Sequence, residues 1–411
     1  MDEADVVVIG GGIIGSAIAH QLAVRDFGRV MVVERGAGPA EGSTGASSAI
    51  VRTLYSRPET VRLALGGQAA YRNWDEFTNL EQPRSRFHPV GMVWMMGYSN
   101  SAAGAARDRL LNEGGNAEVL DAEGVRARFP ALSACGEPFD LTGEVPHECR
   151  DLEAALFEPD AGFADPSGAT QDLIEAARRA GAEISFRSEV QSVRKNGNRV
   201  SGVDLTDGRT IRTPLIINAS GPWCNRLNDM AGARLEWTIK PTRVQVGYRL
   251  RPAEVPGPIP IVADASTGIY LRTEASGQQI LFGSVLEEDE KEVVDPDRFN
   301  PAADAAFLNH KIHALHHRLP GLPHRGTLTG IAGLYAINEE DVHPVLGPSA
   351  VEGWWVANGF SGHGFKLAPM IGTMIAVALT GIARRFDTDV PMSFFGVDRL
   401  PLSVQAKNVL A

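Results

Sequence analysis

Three glycines and one carboxylate carry the first chemical signal in this chain. Gly10, Gly12 and Gly15 form a Gly-x-Gly-x-x-Gly motif, and Glu34 lies 24 residues beyond Gly10. The first glycine permits a tight turn, the second lets backbone approach a pyrophosphate, and the third lets a helix pack closely on a sheet. A helix opening at Ile13 and Ile14 offers unpaired N–H groups and partial positive charge to phosphate oxygens. Glu34, followed by Arg35, is placed to accept both ribose hydroxyls, and its charge disfavours a 2′-phosphate. Together these residues read as a dinucleotide site. Alone they do not separate FAD from NAD, because a fold hosts many chemistries.

Three later segments extend the signal. Gly42-Ser43-Thr44-Gly45-Ala46-Ser47-Ser48 supplies hydroxyls, small side chains and N–H groups where an extended FAD would continue, with Ser43, Thr44, Ala46 and Ser47 as expected contacts. Asn218-Ala219-Ser220-Gly221-Pro222-Trp223 closes an apolar strand and adds Ala219, Ser220, Gly221 and Trp223, while Val190 is expected to flank the same cofactor. Gly359-Phe360-Ser361-Gly362-His363-Gly364-Phe365-Lys366 precedes an apolar C-terminal stretch. Gly359, Gly362 and Gly364 leave room for a flat ring against the backbone. A helix starting near Gly364, with Phe365 and Lys366 in its first turn and His363 just before it, aims partial positive charge at that ring. Such a field raises a flavin's affinity for electrons.

The elements that position these motifs can be read from periodicity. Residues 6–9 read as a buried strand, 13–25 as a helix and 30–34 as a second strand, which begins a parallel sheet. Residues 167–181 read as a helix. Short strands follow at 182–186, 190–194, 200–205 and 209–211, with turns at Asn196-Gly197 and Asp207-Gly208, and 215–218 is another buried strand. Alternating apolar residues over 244–281 predict an antiparallel sheet of a different kind. Residues 354–357 read as a short strand. The run 367–383, interrupted by Pro369, Gly372 and Gly381, reads as a buried helix too short to span a bilayer.

This order predicts an α/β fold with an α+β insert. A Rossmann-like FAD-binding domain over 1–85, 150–225 and 325–411 is interrupted by a substrate domain, with a mixed, largely antiparallel sheet, over 86–149 and 226–324. The net charge of −11 argues against a nucleic-acid partner. Three cysteines with no Cys-x-x-Cys pair predict reduced thiols and no cysteine zinc site, and the acidic start without a basic, apolar leader predicts a cytoplasmic protein.

Taken in sequence, and joined by Ile50-Val51-Arg52-Thr53-Leu54-Tyr55 and Gly162-Phe163-Ala164-Asp165-Pro166, the motifs resemble the D-amino-acid oxidase superfamily of FAD enzymes. Within it they resemble the branch of sarcosine oxidase, its beta-subunit relatives and dimethylglycine dehydrogenase, over nearly the whole chain. The resemblance implies FAD-dependent oxidation of a small anionic amino acid, most simply an N-substituted glycine of the sarcosine, dimethylglycine or iminodiacetate type. Hydride transfer to flavin N5 and imine hydrolysis would follow. It also implies that Arg52 and Lys366 are the cations that hold the substrate carboxylate and that Tyr55 and Tyr335 line the pocket. A bidentate Arg fixes orientation while a Lys adds a point charge. A primary or cyclic amino-acid dehydrogenase acting on a D-amino acid or proline, and a flavin-bearing subunit of a hetero-oligomer, are the alternatives; homo- and hetero-oligomers both stay open.

Two departures from the family pattern carry expectations of their own. No cysteine stands at Gly333 or Leu334 and no histidine in Thr44-Gly45-Ala46-Ser47, so non-covalent FAD is expected. Leu281 falls where the monomeric oxidases place a lysine near flavin N5, with Lys240 as a substitute, so oxygen and another electron acceptor both remain open. His310, His313 and His317 recur at i, i+3 and i+7, with His316 and His324 nearby. Flanked by Lys311, Arg318 and Arg325, they read as a solvated basic face, and no metal is expected.

Overall fold

A computed structural model of the chain describes residues 2–137, 140, 144–323 and 325–403. Its first sheet has six strands in the order Val345–Pro348, Trp354–Asn358, Ile216–Asn218, Val6–Ile9, Val30–Val33 and Glu183–Ser185, all parallel except the first. Val6–Ile9 is apolar throughout because both faces are covered. Val6 and Val8 pack with the helices, whereas Val7 and Ile9 pack with a small four-stranded sheet built mainly from Val190–Asn196, Arg199–Leu205 and Thr210–Arg212.

The helix Ile13–Ala23 lies between this sheet and two further helices, Pro166–Arg179 and Gly364–Thr380. A Cβ on Gly372 would stand 2.7 Å from the Ala17 carbonyl oxygen, so that glycine sets the close approach of the first and last helices. Pro369 does not break the C-terminal helix. The proline lacks the N–H that would bond the Phe365 carbonyl, and the Tyr71 hydroxyl donates to that oxygen instead at 2.8 Å. Removing that hydroxyl would leave a buried acceptor unsatisfied, at a cost of about 1–3 kcal/mol. The helix ends where Gly381 takes φ +68°.

The second sheet has eight strands, in the order Leu328–Asn338, Ile239–Leu250, Gln279–Ser284, Ile269–Thr273, Ile261–Asp264, Met92–Met95, Ala155–Glu158 and Glu118–Leu120. It is antiparallel except where Ile261–Asp264 meets Met92–Met95. The helix Ala305–Arg318 covers part of it, and the buried Arg318–Asp264 pair, 2.7 Å apart, ties helix to sheet. Removing one partner of such a pair costs about 3–5 kcal/mol because the other charge stays buried.

Ala155–Glu158 and Leu328–Asn338 lie in segments assigned from sequence to the FAD-binding part, yet both hydrogen-bond into this second sheet. The longer strand escaped the sequence pattern because glycines interrupt its alternation where backbones crowd. A Cβ on Gly330 would meet Ala303 at 2.6 Å, and one on Gly333 would meet Ala46 at the same distance. Among the described residues no helix is long and apolar enough to cross a membrane.

Candidate active site

One continuous cleft runs from the first Gly-rich turn to the last. Gly10, Gly12, Ile13, Ile14, Glu34, Arg35, Ser43, Thr44, Ser47, Val190, Ala219, Ser220, Gly221, Trp223, Tyr335, Gly362, Gly364 and Phe365 all line it. Gly10, at φ +113°, sits where a Cβ would lie 2.5 Å from the Ala219 carbonyl, so only glycine allows the two loops to meet. Glu34 accepts from the Gly11 and Gly36 N–H groups, both at 2.6 Å, which fixes its carboxylate at the cleft wall. Thr44 Oγ1 accepts from Ile13 N at 3.1 Å and holds the Ser/Gly segment against the helix start.

Gly15, Ala46 and Gly359 shape the cleft without lining it. A Cβ on Gly15 would stand 2.0 Å from the Gly10 carbonyl, Ala46 packs on Gly333, and Gly359 turns the chain at φ +71°. The turn that follows is stitched to the Tyr335 strand: Ser361 N donates to the Ala336 carbonyl, and Asn338 N donates to Ser361 Oγ. This brings Gly362 and Tyr335 to one end of the cleft, beside the amino end of Gly364–Thr380.

Arg52 and Lys366 are both buried and do not line the cleft; Lys366 follows the lining residues Gly364 and Phe365 in the first turn of the last helix, and the Arg52 charge reaches it. The Arg52 guanidinium lies over the Tyr55 ring at 4.3 Å and faces Trp94 at 5.2 Å, and it donates to the Leu54 carbonyl. Among the described residues Lys366 has no carboxylate partner, and its ammonium reaches the Gly362 carbonyl at 3.4 Å. Burial, and then the Arg52 charge, hold the Lys366 pKa well below the usual lysine range. Burial, Lys366 and Arg52 likewise push His363 well below its ordinary value. The Tyr55 hydroxyl bonds His363 Nδ1 at 3.1 Å, and burial pushes that phenol up to about 12. His363 therefore braces the turn through Tyr55.

Several residues of the site gave no signal in sequence. Glu158, itself buried, accepts from Thr53 N (2.7 Å), Thr53 Oγ1 (2.5 Å), Leu54 N (3.2 Å) and Trp94 Nε1 (2.6 Å), so one carboxylate positions the Arg52–Tyr55 segment. Asp297 accepts from Arg35, Trp223 and Arg226 and closes the outer rim. Burial, and then the Asp289 and Glu287 charges, raise Glu290 to about 8; burial first, with Glu290 among the smaller causes, raises the Tyr270 and Tyr335 phenols. No spacing rule links these acids to the motifs, because Glu158 lies 64 residues from Trp94 and 105 from Thr53 along the chain, and Asp297 lies 71 from Arg226 and 262 from Arg35. Leu281 is packed in the core, and Lys240 pairs with Glu339 at 2.6 Å near the start of its strand.

The residues present fit a bound dinucleotide on the structure's own evidence. Ser43 Oγ and His363 Nε2 are buried with no hydrogen-bond partner among the described residues, one in the cleft wall and the other at its far turn. A glycine-lined cleft at the carboxyl ends of parallel strands, with a helix amino end at each extremity, defines a dinucleotide-dependent enzyme of the doubly wound type. The family match gives the cofactor and the chemistry: residues 5–378 match the family described as DAO, FAD dependent oxidoreductase, so the chain belongs to that family and is an FAD-dependent oxidoreductase.

Among curated relatives, the chain is 30% identical to a monomeric sarcosine oxidase from Streptomyces avermitilis, covering 96% of this chain and 97% of that protein. It is 26% identical to FAD-dependent oxidoreductase domain-containing protein 1 from Xenopus laevis, over 91% and 79% of the two chains. Among solved structures, an L-proline dehydrogenase from P. horikoshii superposes with a TM-score of 0.80 at 25% identity, over 96% of this chain and 97% of the other.

Proposed function

We propose that this enzyme oxidises an amino acid with a substituted nitrogen, most simply an N-substituted glycine, and that Arg52 and Lys366 hold its carboxylate. The observation that carries this reading is the buried pair of cations by the amino end of the Gly364–Thr380 helix, where Lys366 lacks a carboxylate partner among the described residues. Two buried like charges repel, and a carboxylate between them relieves both the repulsion and the desolvation. Arg52 fixes the orientation of the carboxylate, Lys366 adds charge, and Tyr335 stands at the same end of the cleft. Bound FAD supplies the two-electron acceptor, and loss of hydride from a carbon beside nitrogen leaves an imine that water converts to an amine and a carbonyl compound.

Similarity to a sarcosine oxidase supports the N-methyl class. Similarity to an L-proline dehydrogenase supports a second reading in which the secondary amine is cyclic. The FAD is proposed to be dissociable: Gly333 packs on Ala46 with no space for a side chain, and Gly45, Ala46 and Ser47 offer no nucleophilic ring or thiol. Turnover with sarcosine, dimethylglycine, iminodiacetate, L-proline and D-alanine, with identification of the carbonyl product, tests the reading. Formaldehyde or glyoxylate supports the first class and a pyrroline the second; a 2-oxo acid from a primary amine alone overturns both.

A further inference from the structure

A second constellation lies away from the cleft, where the end of the Ala305–Arg318 helix meets the segment around Cys135 and His147. The three histidines expected on one solvated helix face separate here. His310 and His313 are exposed, whereas His317 is partly buried against that segment; His324 lies outside the described residues. Cys135 is buried, and its Sγ lies 3.2 Å from His147 Nε2. The His147 and His317 rings stand at 82° with centroids 4.9 Å apart. One ligand atom from each of Cys135, His147 and His317 falls within 4.8 Å of the others. Burial, and then the Cys135 thiol, raise the Cys149 thiol to about 11. The expectation of a solvated face does not hold for His317, because the chain brings Cys135 and His147 to it from another part of the sequence.

We propose that Cys135, His147 and His317 bind a zinc ion, with its fourth coordination position left to water. A tetrahedral zinc with Zn–N bonds of about 2.0 Å and Zn–S bonds of about 2.3 Å has ligand-to-ligand edges of roughly 3.3–3.8 Å. The sulfur and first imidazole are already at that spacing, and the second imidazole needs to close by about 1 Å or so. Mixed thiolate and imidazole donors select a borderline-soft ion over magnesium or calcium.

The scaffold is rigid where the ligands attach. Gly136 N donates to the Arg150 carbonyl and Leu152 N to the Ala134 carbonyl, so the two legs that carry Cys135 and Cys149 are paired. Arg318, the residue after His317, donates to the Cys135 carbonyl at 2.6 Å, and Ser133 N donates to the Arg318 carbonyl. Helix end and cysteine leg are thus fastened before any ion arrives. The bound ion would clasp His147 onto the same helix.

Metal analysis of the FAD-loaded enzyme, produced without a histidine tag in zinc-containing medium and dialysed, tests this. About one zinc per chain is expected, and exchange with cobalt is expected to give d–d absorption at wavelengths beyond the oxidised flavin bands. Cys135→Ser and His317→Ala should each lower zinc by about ten-fold with flavin content unchanged, while His310→Ala keeps it. Should either variant lose its flavin, chelation of the wild-type enzyme replaces it, with Cys135 expected to become reactive to a thiol reagent only after zinc is removed. Less than a tenth of a zinc in a chain that retains FAD, or a Cys135–Cys149 disulfide in a non-reducing peptide map, overturns the proposal.

Discussion

Glu158→Gln is the perturbation that most sharply separates positioning from contact. The carboxylate accepts four hydrogen bonds, three at Oε2 from Thr53 and Leu54 and one at Oε1 from Trp94. An amide of the same shape keeps one acceptor oxygen and turns the other into a donor. With its oxygen toward Thr53 and Leu54, its NH2 faces the Trp94 N–H, so one buried bond is lost and two donors confront each other. That loss costs about 1–3 kcal/mol, and the three surviving bonds lose their charge assistance at about 0.5 kcal/mol each. The expected destabilisation is about 3 kcal/mol, read as a lower midpoint of urea unfolding. Because the same carboxylate holds the residues that flank Arg52 and the Trp94 ring that faces it, KM for the amino acid should rise about ten-fold while kcat changes much less, an outcome worth about 1.4 kcal/mol of carboxylate binding. Unchanged unfolding together with unchanged KM would refute the assignment of Glu158 as the residue that positions the clamp.

Three further outcomes follow from the same geometry. Arg52→Met and Lys366→Met should each raise KM by about 30-fold to 1000-fold, the equivalent of 2–4 kcal/mol for one partner of a buried charge pair, with FAD content retained as the check on folding. Lys366 has a depressed pKa before substrate arrives, and a bound carboxylate raises it, so binding takes up a proton. Affinity is then greatest below the free pKa and falls by up to ten-fold per pH unit until the bound pKa is passed, which titration calorimetry in buffers of different ionisation enthalpy detects as proton uptake. Acid precipitation should release the yellow colour into the supernatant; colour that stays with the pellet would sink the proposal of dissociable FAD.

The nucleotide half of the site was legible because its chemistry is local. Gly10, Gly12 and Gly15 sit within six residues on one strand-turn-helix unit, and the helix start at Gly364 lies where the glycine spacing put it. The apolar strands around Val6–Ile9 were likewise legible as short runs with both faces covered, although their order in the sheet was not. What sequence could not supply depends on long-range return of the chain. Glu158 reaches Thr53 from 105 residues away, and Asp297 reaches Arg35 from 262. Leu328–Asn338, which carries Tyr335, is paired along its whole length with Ile239–Leu250, but its glycines erase the alternation that would announce a strand. His317 looked like its exposed neighbours because the partner that buries it, the segment carrying Cys135 and His147, belongs to another part of the chain.

The most direct measurement is the absorption spectrum of the purified enzyme under argon as sarcosine, dimethylglycine, iminodiacetate and L-proline are added in turn. The account predicts that an amino acid with a substituted nitrogen bleaches the flavin band, and that the corresponding amine without a carboxylate does not. A flavin band that none of these acids bleaches, or that the carboxylate-free amine bleaches equally well, would contradict it.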